Sequence, residues 1–482
     1  MINIRQLGIL CFLLFAQEAL CNSNQNLPEI GDTSSGIVSL EEERRLGKFF
    51  LLSLRNQLDM VNDPVISDYL EHLIYKLAVH SQLKDRRLDV LLIDKKELNA
   101  FAAPGGIVGI NLGLFLNAET EQEFCAILAH ELAHLSQRHY ARQFDAASKA
   151  NVSSLAGFLA GILLMSTVGS DAGMAAMSLG QAAAQNQMLS YSRDRESEAD
   201  RIGIDNLVNA GMDPRAMAYM FEKLNKMHRY EGNKIPEFLR THPITENRVA
   251  DSYNQAHQYP ATIYPSNLDY QLMRAFALVR EEGSALQAEE RMRSRLKNSD
   301  PVLETASKYG LALALIQQKR FDSAMELINA LREAYPAKIA FIVLEARTLM
   351  NMDKHQKAVD ILKEALLTSP GNYPLSMQYA LALISAGKMS EAERQLKKLS
   401  QDRPSDPQIW YELAEVYGLA NNVVGVHQAR AEYFVLMGAL DQAIKQLGYA
   451  LPLVSDNFHL HATISQRQAD INKMREEMRN EK

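Results

Sequence analysis

His130-Glu131-Leu132-Ala133-His134 sets two imidazoles four residues apart with a carboxylate between them. On an α-helix, positions i and i+4 lie one turn apart on one face. Both rings can then reach a single tetrahedral zinc at about 2.0–2.1 Å. Glu131 is turned by about 100° from His130, near enough to touch a water at the metal and too far round to ligate it. These are the parts of metal-assisted peptide hydrolysis, in which the ion polarises a carbonyl and the carboxylate takes a proton from the attacking water. Five residues alone are a thin basis, since a helix with an exposed glutamate and two ordinary histidines has the same spelling. The surroundings argue otherwise. Phe124 to Ala129 and Leu132, Ala133 and Leu135 are apolar, so the histidines sit on a buried helix, where neutral imidazoles need partners.

A catalytic zinc takes three protein ligands and keeps one position for water. No histidine follows at the metzincin spacing; His139 stands between Arg138 and Tyr140. The third ligand is therefore sought as a carboxylate on another helix. The densest acidic stretch is Ser192-Arg193-Asp194-Arg195-Glu196-Ser197-Glu198-Ala199-Asp200. Glu196 and Asp200 share a helix face, and Glu198 points roughly opposite. Spacing alone leaves the choice between them open. A solvated, charged helix start has the same composition, with its acids favoured by the helix dipole.

The elements that must position these residues can be read from the same chain. From Leu40 to about Leu83 the apolar pattern is helical. Leu88 to Ile93 is a strand candidate, Pro104-Gly105-Gly106 a turn, and Ile107 to Leu114 a second extended stretch, expected to be the sheet edge that pairs with an extended substrate. Thr120 and Glu123 form a capping box at the start of the His130 helix. The acidic helix should begin near Ser192 and end at Gly211, with Pro214 just beyond. In the last third, Ala312, Ala346, Ala380 and Ala414 recur every 34 residues, as do Ala324, Ala358 and Ala392, and Pro336, Pro370 and Pro404. This is the period of tetratricopeptide helix pairs, and Trp410, Leu413, Ala414 and Tyr417 match part of their pattern. After Tyr417 the register breaks, and Ala431 and Ala443 resume it half a unit out of phase. Residues 260–300 are helical without a clear repeat.

Bulk properties set the frame. A chain of 482 residues needs more than one core, and 47% hydrophobic with 23% charged residues is a globular composition. A net charge of −7 speaks against a nucleic-acid partner. Arg5, the apolar run Leu7 to Ala16 and Ala19-Leu20-Cys21 read as a cleaved secretory leader, residues 1–21, too short to span a bilayer. Glu18 and Leu20 disfavour a lipid anchor on Cys21. With Cys11 and Cys21 removed, Cys125 is left without a disulfide partner in the chain.

Asn99-Ala100-Phe101 with Pro104-Gly105-Gly106, the His130–His134 motif, and Ser192-Arg193 with Glu196-Ser197-Glu198-Ala199-Asp200-Arg201 together resemble the HtpX-like and CAAX-prenyl-protease-like zinc metallopeptidases. Leader and repeats extend the likeness, to periplasmic Gram-negative members of this group, over nearly the whole chain. The resemblance implies one zinc per chain, held by His130, His134 and Glu196, with Glu131 as base and Asp200 as a supporting residue or proton donor. It also implies a mainly α architecture: a zincin-like α+β domain with a small sheet over residues 40–260, then a tetratricopeptide solenoid over 265–482. Unfolded or misassembled outer-membrane proteins are the implied substrates, and outer-membrane assembly machinery the implied partner of the repeats. The protein would be peripheral to the outer membrane at most. A chaperone or assembly scaffold with a largely silent peptidase is the alternative. His242, in Thr241-His242-Pro243, is a further candidate, either as a fourth ligand that gates the metal from a loop or as a donor to the oxyanion.

Overall fold

The computed structural model describes residues 39–142, 193–230, 236–297 and 300–480. The expected leader, residues 1–21 with Cys11 and Cys21, and the Ala/Gly/Met-rich stretch from Leu155 to Met188 lie outside them. No helix of the described residues is long and apolar enough to cross a membrane.

The helical pattern from Leu40 to about Leu83 resolves into two helices, α1 (Leu40–Gln57) and α2 (Pro64–Val79). Asp63 caps α2 by accepting the Val65 and Ile66 amides. Pro64 takes the first helical position, where a missing N–H is harmless. Three strands follow: β1 (Asp89–Ile93), β2 (Ala100–Ala103) and β3 (Ile107–Asn111). Their order is β1–β3–β2, with β1 parallel and β2 antiparallel to β3. This corrects the expectation that 107–114 is the sheet edge. β3 is central, and after Asn111 the chain turns into the short helix α3 (Gly113–Asn117). The outer side of β1 is partly taken by a bridge from Met60 to Ile93. Among the described residues no strand pairs with the outer side of β2, so β2 is the open edge.

α4 (Glu121–Ser136) carries the two-histidine motif. The Thr120 hydroxyl accepts the Glu123 amide at 3.2 Å, as a capping box requires. The Glu123 carboxylate reaches one residue further back than expected, to the Glu119 amide at 2.7 Å. α5 (Arg193–Asn209) ends before Gly211, whose φ of +71° turns the chain out of the helix. α6 (Ala216–Tyr230), α7 (Glu237–Thr241) and α8 (Glu246–Ala256) complete the surround.

The rest is a helical array. α9 (Leu268–Glu281) and α10 (Ala285–Arg295) pack on α11 (Pro301–Gln317), so residues 260–300 lead into the repeats. Next come α12 (Phe321–Ala334), α13 (Ile339–Asn351), α14 (His355–Thr368), α15 (Tyr373–Ser385), α16 (Met389–Asp402), α17 (Pro407–Leu419) and α18 (Val423–Leu436). The repeating alanines 312, 346, 380, 324, 358 and 392 are completely buried where paired helices approach. α18 packs on both α17 and α19 (Leu440–Ala450), which is how Ala431 and Ala443 continue the array out of phase. A 3-10 turn (Leu451–Val454) and α20 (Phe458–Asn480) close it.

The array leans back on the first half of the chain. α2 packs against α15, Arg347 pairs with Asp63 at 2.6 Å, Arg403 pairs with Glu71, and Asn56 donates to the Met437 carbonyl at 3.2 Å.

Candidate metal centre

Every residue of α4 from Phe124 to His134 is fully buried, so the motif is presented inside the protein and not on a solvated face. α5 crosses it closely. A Cβ on Gly203 would stand 3.2 Å from the His130 amide nitrogen and 3.0 Å from Met217 Cε. Glycine is what lets the two backbones approach, and that approach brings Glu196 and Asp200 to the histidines. α7 brings the last member. His242 was expected on a loop, but it caps this one-turn helix, its amide donating to the Phe238 carbonyl at 2.9 Å. Its ring stacks on Phe238 with centroids 4.7 Å apart, and it is 1% exposed.

One ligand atom from each of His130, His134, Glu196 and His242 lies within 4.8 Å of every other. His130 Nε2 is 3.0 Å from His134 Nε2 and 3.3 Å from His242 Nδ1. Glu196 oxygens lie 3.5 Å from each of the α4 histidines and 3.1 Å from His242 Nδ1. In a tetrahedral site with bonds of 2.0–2.1 Å, neighbouring donors stand about 3.3–3.4 Å apart. The cluster has the dimensions of a zinc shell. Glu131, fully buried, points one oxygen at the edge strand, where the Ala102 amide donates to Oε2 at 3.0 Å. Among the described residues its Oε1 has no hydrogen-bond partner, and it lies 3.5 Å from His242 Nε2.

Comparison with known proteins gives the family. Residues 65–254 match the profile of Peptidase family M48, and residues 281–339 and 349–416 match tetratricopeptide repeat profiles. The putative β-barrel assembly-enhancing protease of Vibrio cholerae is 32% identical, over 93% of this chain and 93% of that protein. The chain belongs to peptidase family M48. The β-barrel assembly-enhancing protease of Escherichia coli is 31% identical over 90% of this M48 peptidase and 88% of its own length. A mitochondrial metalloendopeptidase of Bos taurus is 30% identical over 33% of this chain and 30% of its own.

All six candidate residues of this M48 peptidase meet in one buried cluster, and one residue that sequence reasoning missed stands behind them. Asp200 lies 2.9 Å from His130 Nδ1, opposite the nitrogen that faces the cluster. That is the place of the carboxylate that orients a ligating histidine. Arg248 of α8, 5% exposed, grips Asp200 through two bonds of 2.7 Å, Glu196 at 2.9 Å and the Pro243 carbonyl at 2.7 Å. It ties the α5 carboxylates to the segment that holds His242. The one available signal was an excess of carboxylates on a site too buried to leave them unpaired, and that does not say which arginine answers it.

The electrostatics follow from burial and these partners. Burial disfavours charge on His130, yet contacts with Asp200 and Glu196 outweigh it and lift the imidazole to about 9. Burial, with His130 alongside, pushes His134 well below the ordinary histidine value. Burial also opposes ionisation of Glu196, but His242, His130 and Arg248 hold it well below the usual carboxylate range. Burial raises Glu131, against His242 and His130. An ionised carboxylate among imidazoles is the environment a divalent, nitrogen-preferring cation completes.

Proposed function

We propose that this M48 peptidase is a zinc metalloendopeptidase of the periplasm, exported by a leader at residues 1–21. It would degrade misfolded or stalled outer-membrane proteins and assist their assembly, with its repeats docking it to the assembly machinery. The observation that carries the reading is the buried four-donor cluster at zinc spacing with a carboxylate beside it. The near full-length likeness to proteases named for β-barrel assembly supports the substrate class.

His130, His134 and Glu196 would hold the ion, Asp200 and Arg248 would fix His130 and Glu196, and Glu131 would serve as base. When bound, the ion supplies polarisation of the scissile carbonyl and acidification of the attacking water. Glu131 accepts the water proton and delivers it to the leaving amine. β2, the open edge beside α4, offers an extended substrate backbone pairing, a mode that reads side chains loosely.

Four protein donors make a closed centre, whereas a catalytic one keeps a position open. If all four held the ion, His242 would be the member to leave, because it comes from a single helical turn and not from the crossed pair α4–α5. This closure is also what favours the second reading, a scaffold whose peptidase is mostly silent. Glu131→Gln should keep its metal and lose at least about 10²-fold of its cleavage of unfolded outer-membrane protein. Full rescue of a deletion strain by that variant would overturn the protease reading in favour of the scaffold. If His242 gates, His242→Ala should raise basal cleavage. If it serves the oxyanion, the same change should lower turnover by about 10²–10³, and unchanged kinetics would remove both roles.

A further inference from the structure

We propose that His139 and Glu198 form a buttress behind the metal donor His134, fixing which of its ring nitrogens faces the ion. The inference rests on reading His130, His134 and Glu196 as the donor set. His134 turns Nε2 toward His130 and Glu196. Its other nitrogen, Nδ1, lies 2.7 Å from Nδ1 of His139. His139 is completely buried, and its Nε2 lies 3.0 Å from Glu198 Oε2. The same oxygen accepts from Arg142 at 2.9 Å.

Hydrogen-bond chemistry gives this chain one direction. A histidine that coordinates through Nε2 is neutral and keeps its proton on Nδ1. That proton is donated to His139 Nδ1, which must therefore be an acceptor. The His139 proton then sits on Nε2 and is donated to the Glu198 carboxylate. Within this chain of described residues each nitrogen takes one role, and the chain ends at a partly exposed carboxylate paired with an arginine. The His134 ring is held as Asp200 holds His130, from the side away from the metal.

The backbone is shaped for this contact. Five residues along an unbroken helix would turn His139 about 140° away from His134. Instead α4 stops at Ser136, Arg138 adopts a left-handed φ of 49°, and helical backbone resumes at 139–142. The reversal brings His139 beneath His134. Arg138 is no glycine, and it is held in this conformation by two bonds to Glu43 Oε1, at 3.1 and 2.7 Å. A strained residue persists at a site only where its surroundings over-determine it. The two glutamates of the α5 motif thereby divide the work: Glu196 meets the cluster from the front, and Glu198 supports it from behind through His139.

The test uses the full-length protein. Zinc and cobalt affinity by chelator competition and the visible spectrum of the cobalt form are compared for wild type, His139→Ala, His139→Asn and Glu198→Ala. The melting temperature of the ion-free form serves as the fold control. His139→Ala should lose about 10–100-fold in affinity and alter the cobalt spectrum. His139→Asn places a carbonyl oxygen where Nδ1 stands, keeps the acceptor for His134, and should stay within about threefold of wild type by the same argument. Glu198→Ala should fall between them, and it carries the comparison with Asn if His139→Ala does not fold. Folded His139→Ala or Glu198→Ala with wild-type affinity and spectrum overturns the buttress, as do equal losses for Ala and Asn. A wild-type protein that takes up no ion overturns the centre itself.

Discussion

Charge decides much at the residue scale. Glu131, Glu196 and Asp200 are buried together, and the Arg248 guanidinium pairs with two of them. Removing one partner of a buried ion pair leaves the other uncompensated, at a cost of about 3–5 kcal/mol. Arg248→Met should show a loss of that size in denaturant unfolding of the ion-free protein, and a Met variant as stable as wild type would show that the grip is ornamental. Glu196→Ala should weaken metal binding far more than Glu198→Ala, since Glu196 reaches the donor cluster and Glu198 reaches it only through His139; reversed losses would reassign the ligand. Titration adds a signed expectation. His130 must be neutral to coordinate, and in the ion-free site it holds its proton up to about pH 9. Metal affinity should therefore climb as pH rises toward 9, with about one proton released per ion. The raised value stabilises the ion-free fold most below the ordinary 6.5, and that contribution is lost as pH passes 9. Calorimetry in buffers of different ionisation heat reads the proton count, and a flat affinity between pH 6 and 8 would contradict the assignment.

The crossing of α4 and α5 is the construction that matters among the elements. Neither helix can supply the centre alone: α4 offers two imidazoles and the Glu131 carboxylate, and α5 offers Glu196 and Asp200. Their separation is set by Gly203, which sits against the backbone of Ala129 and His130. Gly203→Val would drive a branched side chain into that contact, costing about 1–3 kcal/mol of overpacking. It would also move Glu196 and Asp200 off the histidines. Expected are a lower melting temperature and a metal affinity reduced at least about tenfold, given how tightly donor spacing is prescribed. Unchanged affinity despite a stability loss would mean that the crossing is not what sets the donor distances. In the array, positive-φ residues recur at Lys319, Asp353, Gly387 and Asn421, again every 34 positions. Three of the four are not glycine, which is why this ladder does not stand out in the sequence as the alanine ladders do.

At the scale of the whole molecule, peptidase and array share a core. One apolar cluster runs from Leu70, Phe115 and Phe124 through Tyr270 to Leu311 and Phe341. Tyr270 of α9 is the keystone: completely buried, it stacks on Phe115 and meets Phe124 edge-on, with centroids 5.8 and 5.6 Å away, and its hydroxyl donates to the Ala118 carbonyl at 2.8 Å. Two halves joined this way should unfold together. The protein has one tryptophan, Trp410 on α17, so its fluorescence reports the array while metal release reports the centre. The two signals should change in one coincident transition, as two-state unfolding requires. Tyr270→Ala should cost about 3–5 kcal/mol and separate them. Separate transitions in the wild type would show that the shared core does not couple the halves.

The sequence by itself determined the parts that depend on local spacing. Two imidazoles and a carboxylate on one helix and the alanine ladder of the repeats follow from periods of 3.6 and 34, and the cap at Thr120 and the glycine end of α5 from residue type at a helix end, all of which survive without tertiary information. It also narrowed the second half of the centre to Glu196, Glu198 and Asp200 but left their roles to a family likeness, because helical phase says which acids share a face and not what that face meets. Only the tertiary structure decided the rest. Ile107 to Asn111 is central and Ala100 to Ala103 is the edge because strand order is set by pairing partners, which a run of apolar residues does not name. His242 stood out in the sequence beside Pro243, but nothing local placed it at the metal cluster, and Arg248, on an ordinary polar helix more than fifty residues beyond Glu196, had nothing local to mark it. His139 turns back under His134 because Arg138 leaves the helix, and the carboxylate that Arg138 meets there, Glu43, lies on α1. Convergence of side chains from distant elements is a property of packing, and packing is written in the whole chain at once.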